Sequence, residues 1–500
     1  MDASSAVQPL LSIVVLVYNT AEYLPACFDS LLQQRYRPIE IIAIDDASTD
    51  DSLSICRAYE AEHAEFRCIT KANEGGAVSG NLGISLARGA YVALVDSDDL
   101  VTPDGYQLMM AKALATSADI VVGRAARLVN GRMSTTSLLY EPFVWCRARV
   151  VESVAQFPDL TEDGFYWNKL FCLDFLRRHG LGMVPGLLYA DRPFVHCAYY
   201  LSRRTVILPD LVYLWRSRDT ATPLSITQNK AAAANFDDRV RSITIEWEQF
   251  DDIAGADEYR RLIALQNLQR ALHVASGLVA SPALREVFLA GMQRLLVLFG
   301  EFDWHALGVR RALYLHLLSR GDIDGFCRAL VLPMNGRIKQ GTDGRCYWAD
   351  PIEDGGLDLE RELLHIDFPS IGFFRMGRVY AKGRTLILEL ELHDAIMANC
   401  SVELTLLSME GNGGFAFVSI GRKHQHIHVF SLDLHKLDTR GERYGLVLDY
   451  CHAGRRGHYR IGRALVAEPA WRALPLVVQG GWQVEFDEML GGIGVRRVVE

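Results

Sequence analysis

The sequence has no surplus of positive charge: 52 Lys and Arg stand against 61 Asp and Glu, for a formal net charge of −9. With a sequence pI near 5.9, a general nucleic-acid binder is excluded, because phosphate contacts need a concentrated excess of Lys and Arg. Any basic surface must be local. Long apolar runs are also missing. Leu284 to Phe299 is the most apolar helical stretch, but Arg285, Glu286 and Arg294 interrupt it and it falls short of a bilayer span, which favours a core or interface helix over a membrane-surface one. The opening MDASSAVQPLLSIVVLVYN has no basic n-region and runs directly into a strand pattern, so a cytosolic chain without a secretory signal is expected. The ten cysteines, at 27, 56, 68, 146, 172, 197, 327, 346, 400 and 451, include no Cys-x-x-Cys pair. That usage predicts reduced, mostly buried thiols rather than a disulfide framework or a zinc site.

What is present is length and patterning. A chain of 500 residues, 50% of them hydrophobic, can bury more than one core and predicts two to four domains. Leu11 to Val17 is a β-branched run, and Ala21 to Gln33 then places Leu24, Cys27, Phe28, Leu31 and Leu32 at helical spacing. Ile39 to Ile44 is a second buried-strand run, followed by Asp45 and Asp46, a Ser48/Thr49/Asp50 capping region and a helix from Asp50 to Ala61. Phe66 to Thr70 reads as a third strand, Asn81 to Arg88 as a helix after the breaks at Gly75 and Gly76, and Ala90 to Val95 as a fourth strand. Strands alternating with helices predict a parallel α/β sheet covered on both faces, with ligands outside the carboxyl ends of the strands.

Those ends are polar. Tyr18/Asn19 and Asp45/Asp46 follow the first two strands, and "YVALVDSDDLVTPD" runs from the fourth into Asp96, Asp98 and Asp99. Ionised carboxylates at the mouth of a buried strand need a cation or hydrogen-bond donors, since burying them alone costs several kcal/mol. Asp oxygens suit Mg²⁺ or Mn²⁺, which bind through one or two carboxylates plus the phosphates of a substrate. The competing reading has Asp98 and Asp99 solvating a loop and Asp104 capping the next helix. The second strand ending in Asp45/Asp46 favours the site.

"SIVVLVYNTAEYLPACFDSLLQQRYRPIEIIAIDDASTDDS", "NEGGAVSGNLGISLARGAYVALVDSDDLVTPD" and "LYADRPF" together resemble an inverting family-2 glycosyltransferase of the GT-A (Rossmann-like) fold, over roughly residues 10 to 225, and bacterial capsule and wall teichoic acid transferases in particular. The resemblance implies a nucleotide-diphosphate sugar donor, a UDP-sugar first, with Val17, Tyr18 and Asn19 lining the nucleotide pocket and Asp45 near the base. It implies that Asp96 and Asp98 form a DxD motif holding Mn²⁺ or Mg²⁺, Asp98 touching the metal and Asp96 the ribose or metal, with Asp99 behind them. For Asp46 a turn-capping role is an equal alternative. Gly80 stands where many relatives have Arg, which removes a phosphate or sugar contact. Inverting transfer needs a base for the acceptor hydroxyl; the matching residue is Asp191, although Ala190 replaces the Glu of the family's pair. Asp163, in "LTEDGFYWNKLF", ranks second. Arg216 and Arg218 in "LVYLWRSRDTATPLSIT" are expected on the donor diphosphate or in solvent, and Trp215 either stacked on a sugar ring or in the core.

The expected architecture is a GT-A domain over 1–228, a helical segment over 229–335 without obvious catalytic residues, and a β-rich, sandwich-like domain over 340–500 joined through Pro333, Asn335, Gly336, Gly341 and Gly344. In that last part "GRKHQHIH" and "CHAGRRGHYRIGR" concentrate positive and titratable groups that suit a polyanionic acceptor. His424, His426 and His428 would share a face of one strand, as a metal cluster, an exposed face or an oligomer contact. The expected enzyme transfers a hexose or N-acetylhexosamine to a cell-surface glycan or polyol-phosphate polymer precursor. It binds no nucleic acid, acts in the cytoplasm or peripherally at the inner face of the membrane, and can form homo-oligomers through its C-terminal domain. The rivals are a processive polymerase, against which a clear QxxRW motif is missing, and a non-catalytic polymer-binding protein, motivated by Gly80 and Ala190.

Overall fold

The computed structural model describes residues 8–129, 131–134, 144–145, 148–217, 233–251, 253–278, 281–332, 337–343, 345–366, 374–392, 400–408, 414–424, 427–437, 443–452, 455–461, 474–479, 481–487 and 492–497. The chain divides into two compact units, 1–136 with 147–264, and 137–146 with 265–500. Pro333, Asn335, Gly336 and Gly344 of the expected linker lie outside the described residues. Among the described residues no helix is long and apolar enough to cross a membrane.

The first unit is built on one sheet. Its strands are β1 (Leu11–Val17), β2 (Ile39–Asp45), β3 (Phe66–Thr70), β4 (Tyr91–Asp96), β5 (Leu100–Val101), β6 (Ile120–Val129), β7 (Arg132–Ser134), β8 (Arg149–Val151), β9 (Lys169–Cys172) and β10 (Thr205–Ser217). They lie in the order β3-β2-β1-β4-β9-β6-β10-β5, with β7 beside β6 and β8 beside β10. β3, β2, β1 and β4 run parallel, as the alternation of strands and helices predicts. The sheet is nonetheless mixed, because β9 enters antiparallel between β4 and β6. Four residues are too few to show a period, so the sequence pattern hides this strand.

Both faces of the parallel half are covered. α1 (Leu24–Leu32) puts Cys27, Phe28 and Leu31 into one core with Ile13, Val15, Ile41, Ala93 and Val95, joined by Tyr106, Met109 and Met110 of α4 (Gly105–Thr116). α2 (Ser52–Glu62) follows β2, and α3 (Gly76–Leu86) lies so close to β1 that a Cβ on Gly83 would stand 2.1 Å from Val14 Cγ1. α3 begins at Gly76, not Asn81. Gly75 takes φ 91°, which admits the sharp entry that reads in sequence as a break. Asp104 makes no side-chain cap on α4 and instead pairs with Arg35 at 2.7 Å.

In the second unit, β11 (Ile338–Gln340) pairs with β12 (Cys346–Trp348). Beyond them β13 (Phe374–Lys382), β14 (Thr385–Leu392), β15 (Cys400–Ser408), β16 (Gly414–Ala416), β17 (Val418–His424), β18 (Ile427–Asp433), β19 (Arg443–His452), β20 (Arg455–Arg460), β21 (Leu476–Val478), β22 (Trp482–Asp487) and β23 (Gly492–Arg497) form two antiparallel sheets. One has the order β13-β14-β18-β17, the other β16-β15-β19-β23-β22-β21 with β20 beside β19. Leu386, Leu388 and Leu390 from one and Leu404, Leu406, Leu446 and Leu448 from the other share a core, so the β-rich expectation stands as a sandwich. The three histidines do not line one strand. β17 ends at His424 and pairs it with Ile427 at the start of β18, where His428 is buried; His426 lies outside the described residues. The side chains of 452–460 in the second basic stretch are likewise outside them.

A buried carboxylate ties β2 to β1 and to the turn before β4. Glu40 accepts from the Ser12 hydroxyl at 2.6 Å, the Arg88 amide at 2.7 Å and the Arg88 Nε and Nη2 at 2.9 and 2.7 Å. Burial pushes its carboxyl up, but the Ser12 and Arg88 bonds outweigh that and hold it below its ordinary value. A depressed native pKa stabilises above the unfolded value and is lost as pH falls through the native one. Glu40→Ala should therefore cost about 2 kcal/mol near neutral pH in urea denaturation. The gap to the unsubstituted protein should close as the pH drops below about 4.

Candidate active site

The sheet brings the expected residues to one edge. Register pairs Val17 with Asp45 and Leu16 with Asp96, so two carboxylates flank the end of β1. From β1 the chain goes to β2 on one side, while β4 lies on the other, and a crevice opens at such a switch point. Val17 is buried and Tyr18 is 48% exposed. Asn19 sits at φ 50°, a conformation its short amide tolerates. Its Oδ1 accepts from the Thr49 amide at 2.7 Å and its amide donates to Ser48 Oγ at 3.1 Å. Thr20 then links two strand ends, its amide donating to Ser52 Oγ at 3.0 Å and its hydroxyl sharing a 2.8 Å bond with Ser97.

The two aspartates after β2 do different work. Asp45 is buried and accepts from Thr70 Oγ1 at 2.9 Å and the Ser48 amide at 3.3 Å. Asp46 accepts from the Glu74 and Gly75 amides at 3.0 and 2.8 Å and from the Lys71 ammonium, which fixes the turn before α3. Burial pushes its carboxyl up, yet these bonds hold it below the ordinary range. Of its two readings, turn-capping describes these contacts.

At the end of β4, Asp96 Oδ1 accepts from the Tyr166 hydroxyl at 2.6 Å, and its amide donates to the Tyr213 hydroxyl oxygen at 3.2 Å. Asp98 is half-buried, and its carbonyl accepts from Arg216 Nε at 2.6 Å. Asp99 is buried, accepting from the Tyr213 hydroxyl at 2.8 Å and the Arg216 amide at 2.6 Å. Burial pushes the Asp99 carboxyl well up, and the charges of Asp98 and Asp96 push it further. The Arg216 guanidinium lies 5.3 Å over the Tyr23 ring. Arg218 lies outside the described residues. Trp215 packs with Trp167 and Phe165, each with ring centroids 6.1 Å away, in keeping with a core role.

Asp191 opens the helix Asp191–Leu201, half-buried, directly after buried Ala190. Burial pushes its carboxyl up and the Arg192 guanidinium pulls back. Burial pushes the Tyr166 phenol up first, then the charge of Asp96, to which it bonds, and further that of Asp191. Asp163, the second-ranked candidate, sits in a buried ion pair. It is buried and takes the Lys169 ammonium at 2.8 Å and the Asn168 amide at 3.0 Å. Gly80 faces Met183, whose Cε occupies the place of a Cβ at 2.1 Å, while Asn81 exchanges hydrogen bonds with the Met183 amide and carbonyl at 2.8 and 2.7 Å. A long side chain at position 80 would have to displace that methionine.

Sequence reasoning missed the phenols. Tyr166 sits inside the quoted FYWNKLF and Tyr213 inside VYLW, but nothing local marks either as aimed at a carboxylate 70 or 114 positions away. Mn²⁺ or Mg²⁺ fits the donor set at the β4 end, where acidic side chains repel one another. Among the described residues no three His, Cys, Asp or Glu side chains gather as a complete cation site.

Comparison with known proteins follows this geometry. The model of "Glycosyl transferase family 2" matches residues 12–141. Glycosyltransferase GlyG of Streptococcus pneumoniae serotype 4 is 31% identical over 219 residues, 42% of this chain and 71% of that protein. Further curated relatives are covered over less than two thirds of their length, among them EpsJ of Bacillus subtilis at 63%. The crystal structure of S. aureus TarS superposes with a TM-score of 0.58 at 15% identity, over 98% of this chain and 85% of that one. TarS 1–349 in complex with UDP-GlcNAc gives 0.53 at 20%, over 68% of this chain and 96% of that one.

The Asp163–Lys169 pair makes a prediction. Asp163→Ala and Lys169→Met should each destabilise by about 3–5 kcal/mol in urea denaturation, since each leaves a buried charge alone. The double variant should lose less than the sum. An Asp163→Ala protein of normal stability but without activity would instead make Asp163 catalytic.

Proposed function

The chain belongs to glycosyltransferase family 2, and on that premise we propose that it moves a sugar, with inversion, from a nucleotide-diphosphate sugar to a hydroxyl of a cell-surface glycan or polyol-phosphate polymer precursor. The carrying observation is the strand register that sets Asp45 and Asp96 on either side of the end of β1, with Asp96 held by the Tyr166 hydroxyl at 2.6 Å. In this reading Asp191 is the base that works with these donor carboxylates.

In this reading Val17, Tyr18, Asn19 and Asp45 line the nucleotide, and Asp96 and Asp98 hold Mn²⁺ or Mg²⁺. When bound, that ion supplies positive charge against the departing diphosphate. Asp191 takes the proton of the acceptor hydroxyl as its oxygen bonds the anomeric carbon. The bond from that carbon to the diphosphate oxygen breaks on the opposite face, so the configuration inverts. Arg216, anchored to the Asp98 carbonyl at 2.6 Å, adds charge-assisted hydrogen bonds to the diphosphate. A UDP-sugar is the first choice, a hexose or N-acetylhexosamine, because a protein of similar fold has been solved with UDP-GlcNAc. The β-rich second unit holds polymer or joins copies of the chain, and the enzyme works on the cytosolic side, at the inner face of the membrane.

The test is Mn²⁺-dependent binding and hydrolysis across UDP-, GDP-, CDP- and dTDP-sugars, with Asp98→Ala and Asp191→Asn as controls. One donor should be selected. Asp98→Ala should lose metal-dependent turnover, whereas Asp191→Asn should keep donor binding and lose transfer by about 100-fold or more. No donor bound under any metal would overturn the reading. A base works deprotonated, so the upward shift of Asp191 places the acid limb of kcat/KM above about pH 4, the ordinary carboxylate value. A limb at or below that value would remove Asp191 from the role.

A further inference from the structure

The helix Ala233–Glu248 follows the region of family resemblance and carries no catalytic motif, yet polar side chains are buried beside its apolar stripe of Phe236, Val240 and Ile243. Asn235, Asp238, Ser242 and Glu246 recur every third or fourth residue and are 6%, 9%, 3% and 2% exposed. Packing alone needs only the apolar stripe. These four side chains all reach the segment that carries Asp191.

The two residues preceding Ala190 are held from this one helix. The Leu188 amide donates to Asp238 Oδ2 at 2.6 Å, and the Ser242 hydroxyl donates to the Tyr189 carbonyl at 2.6 Å. The Tyr189 hydroxyl donates to Asn235 Oδ1 and accepts from Arg239 Nη2 at 3.0 Å, while the Arg239 guanidinium lies 4.8 Å over the Tyr189 ring. Further along, Glu246 meets Nδ1 of fully buried His196, whose Nε2 lies 2.8 Å from the Thr161 carbonyl and 3.3 Å from Arg192 Nη2. Cys197 Sγ donates to Gln249 Oε1 at 3.6 Å. Backbone on the near side of Asp191 and a side chain beyond it are thus fixed by the same element.

We propose that Asn235, Asp238, Ser242 and Glu246 are positioning residues that hold the general base in register with the acceptor hydroxyl, making this helix part of the catalytic machinery. The proposal rests on Asp191 being that base. Acceptor deprotonation needs a short, aligned approach, and a displacement of about 1 Å can cost roughly 100-fold. Donor and metal bind at the ends of β1, β2 and β4, which these four residues do not touch. Loosening the helix should therefore lower kcat while leaving donor KM in place.

The experiment uses the full chain and compares Ser242→Ala, Ser242→Thr, Tyr189→Phe and Asp191→Asn, with the donor from the panel above and a short glycan or polyol-phosphate acceptor. Ser242→Ala and Tyr189→Phe should lower kcat about 10-fold to 100-fold with donor KM within about twofold and a melting temperature lowered by only a few degrees, well above the assay temperature. Ser242→Thr, which keeps the hydroxyl, should recover most of the rate. If Asp191→Asn is inactive while Ser242→Ala and Tyr189→Phe turn over within about twofold of the unsubstituted enzyme, the positioning role is wrong. Equal loss in Ser242→Ala and Ser242→Thr also overturns it, because the hydroxyl would then not be what acts. If Asp191→Asn itself stays active, the base assignment fails first, and that outcome is separate from the other two.

Discussion

The structure depends on holding several carboxylates against their mutual repulsion at the end of β4. Asp99 shows the strain, pushed up by burial and then by Asp98 and Asp96. Its neighbours are arranged to bear it: Tyr213 gives Asp99 a hydroxyl and takes the Asp96 amide, and the Arg216 amide supplies another donor. Each neutral donor fixes the geometry of a carboxylate without adding charge to the cluster. A cluster fixed but still acidic is suited to meet a cation and a diphosphate together.

That demand reaches outward through the sheet. Tyr213 is on β10 and stacks on Trp167, with centroids 4.7 Å apart, and Tyr166 beside Trp167 reaches Asp96. β9, starting at Lys169, is anchored just before its first residue by Asn168, which bonds the Gly123 carbonyl at 2.9 Å as well as Asp163. The Asp163–Lys169 pair therefore builds the platform for the phenols. This gives a structural role to the Asp of a Glu-Asp pair that looks catalytic in sequence.

Much of the fold was legible because its signals are local. β1, β3 and β14 fall where continuous or alternating apolar residues place them, and the acidic ends of β2 and β4 are visible as motifs. What stayed hidden depends on distant partners. The antiparallel β9 is too short for a period, and the start of α3 turns on the positive φ of Gly75. The histidine alternation at 424 to 428 spans two strands, since β17 ends at His424 and β18 begins at Ile427. The helix Ala233–Glu248 did carry a signal, polar residues at helical spacing, but such a stripe ordinarily faces solvent. Its burial, and its grip on the Asp191 segment, emerge only from tertiary packing.

We propose that the β4 carboxylates and the donor diphosphate complete one cation site between them. The direct measurement is a calorimetric titration of Mn²⁺ into the full chain with and without saturating UDP. Binding that tightens by an order of magnitude or more when UDP is present, with UDP tightened equally by Mn²⁺, is what the account predicts. Mn²⁺ affinity indifferent to UDP would contradict it.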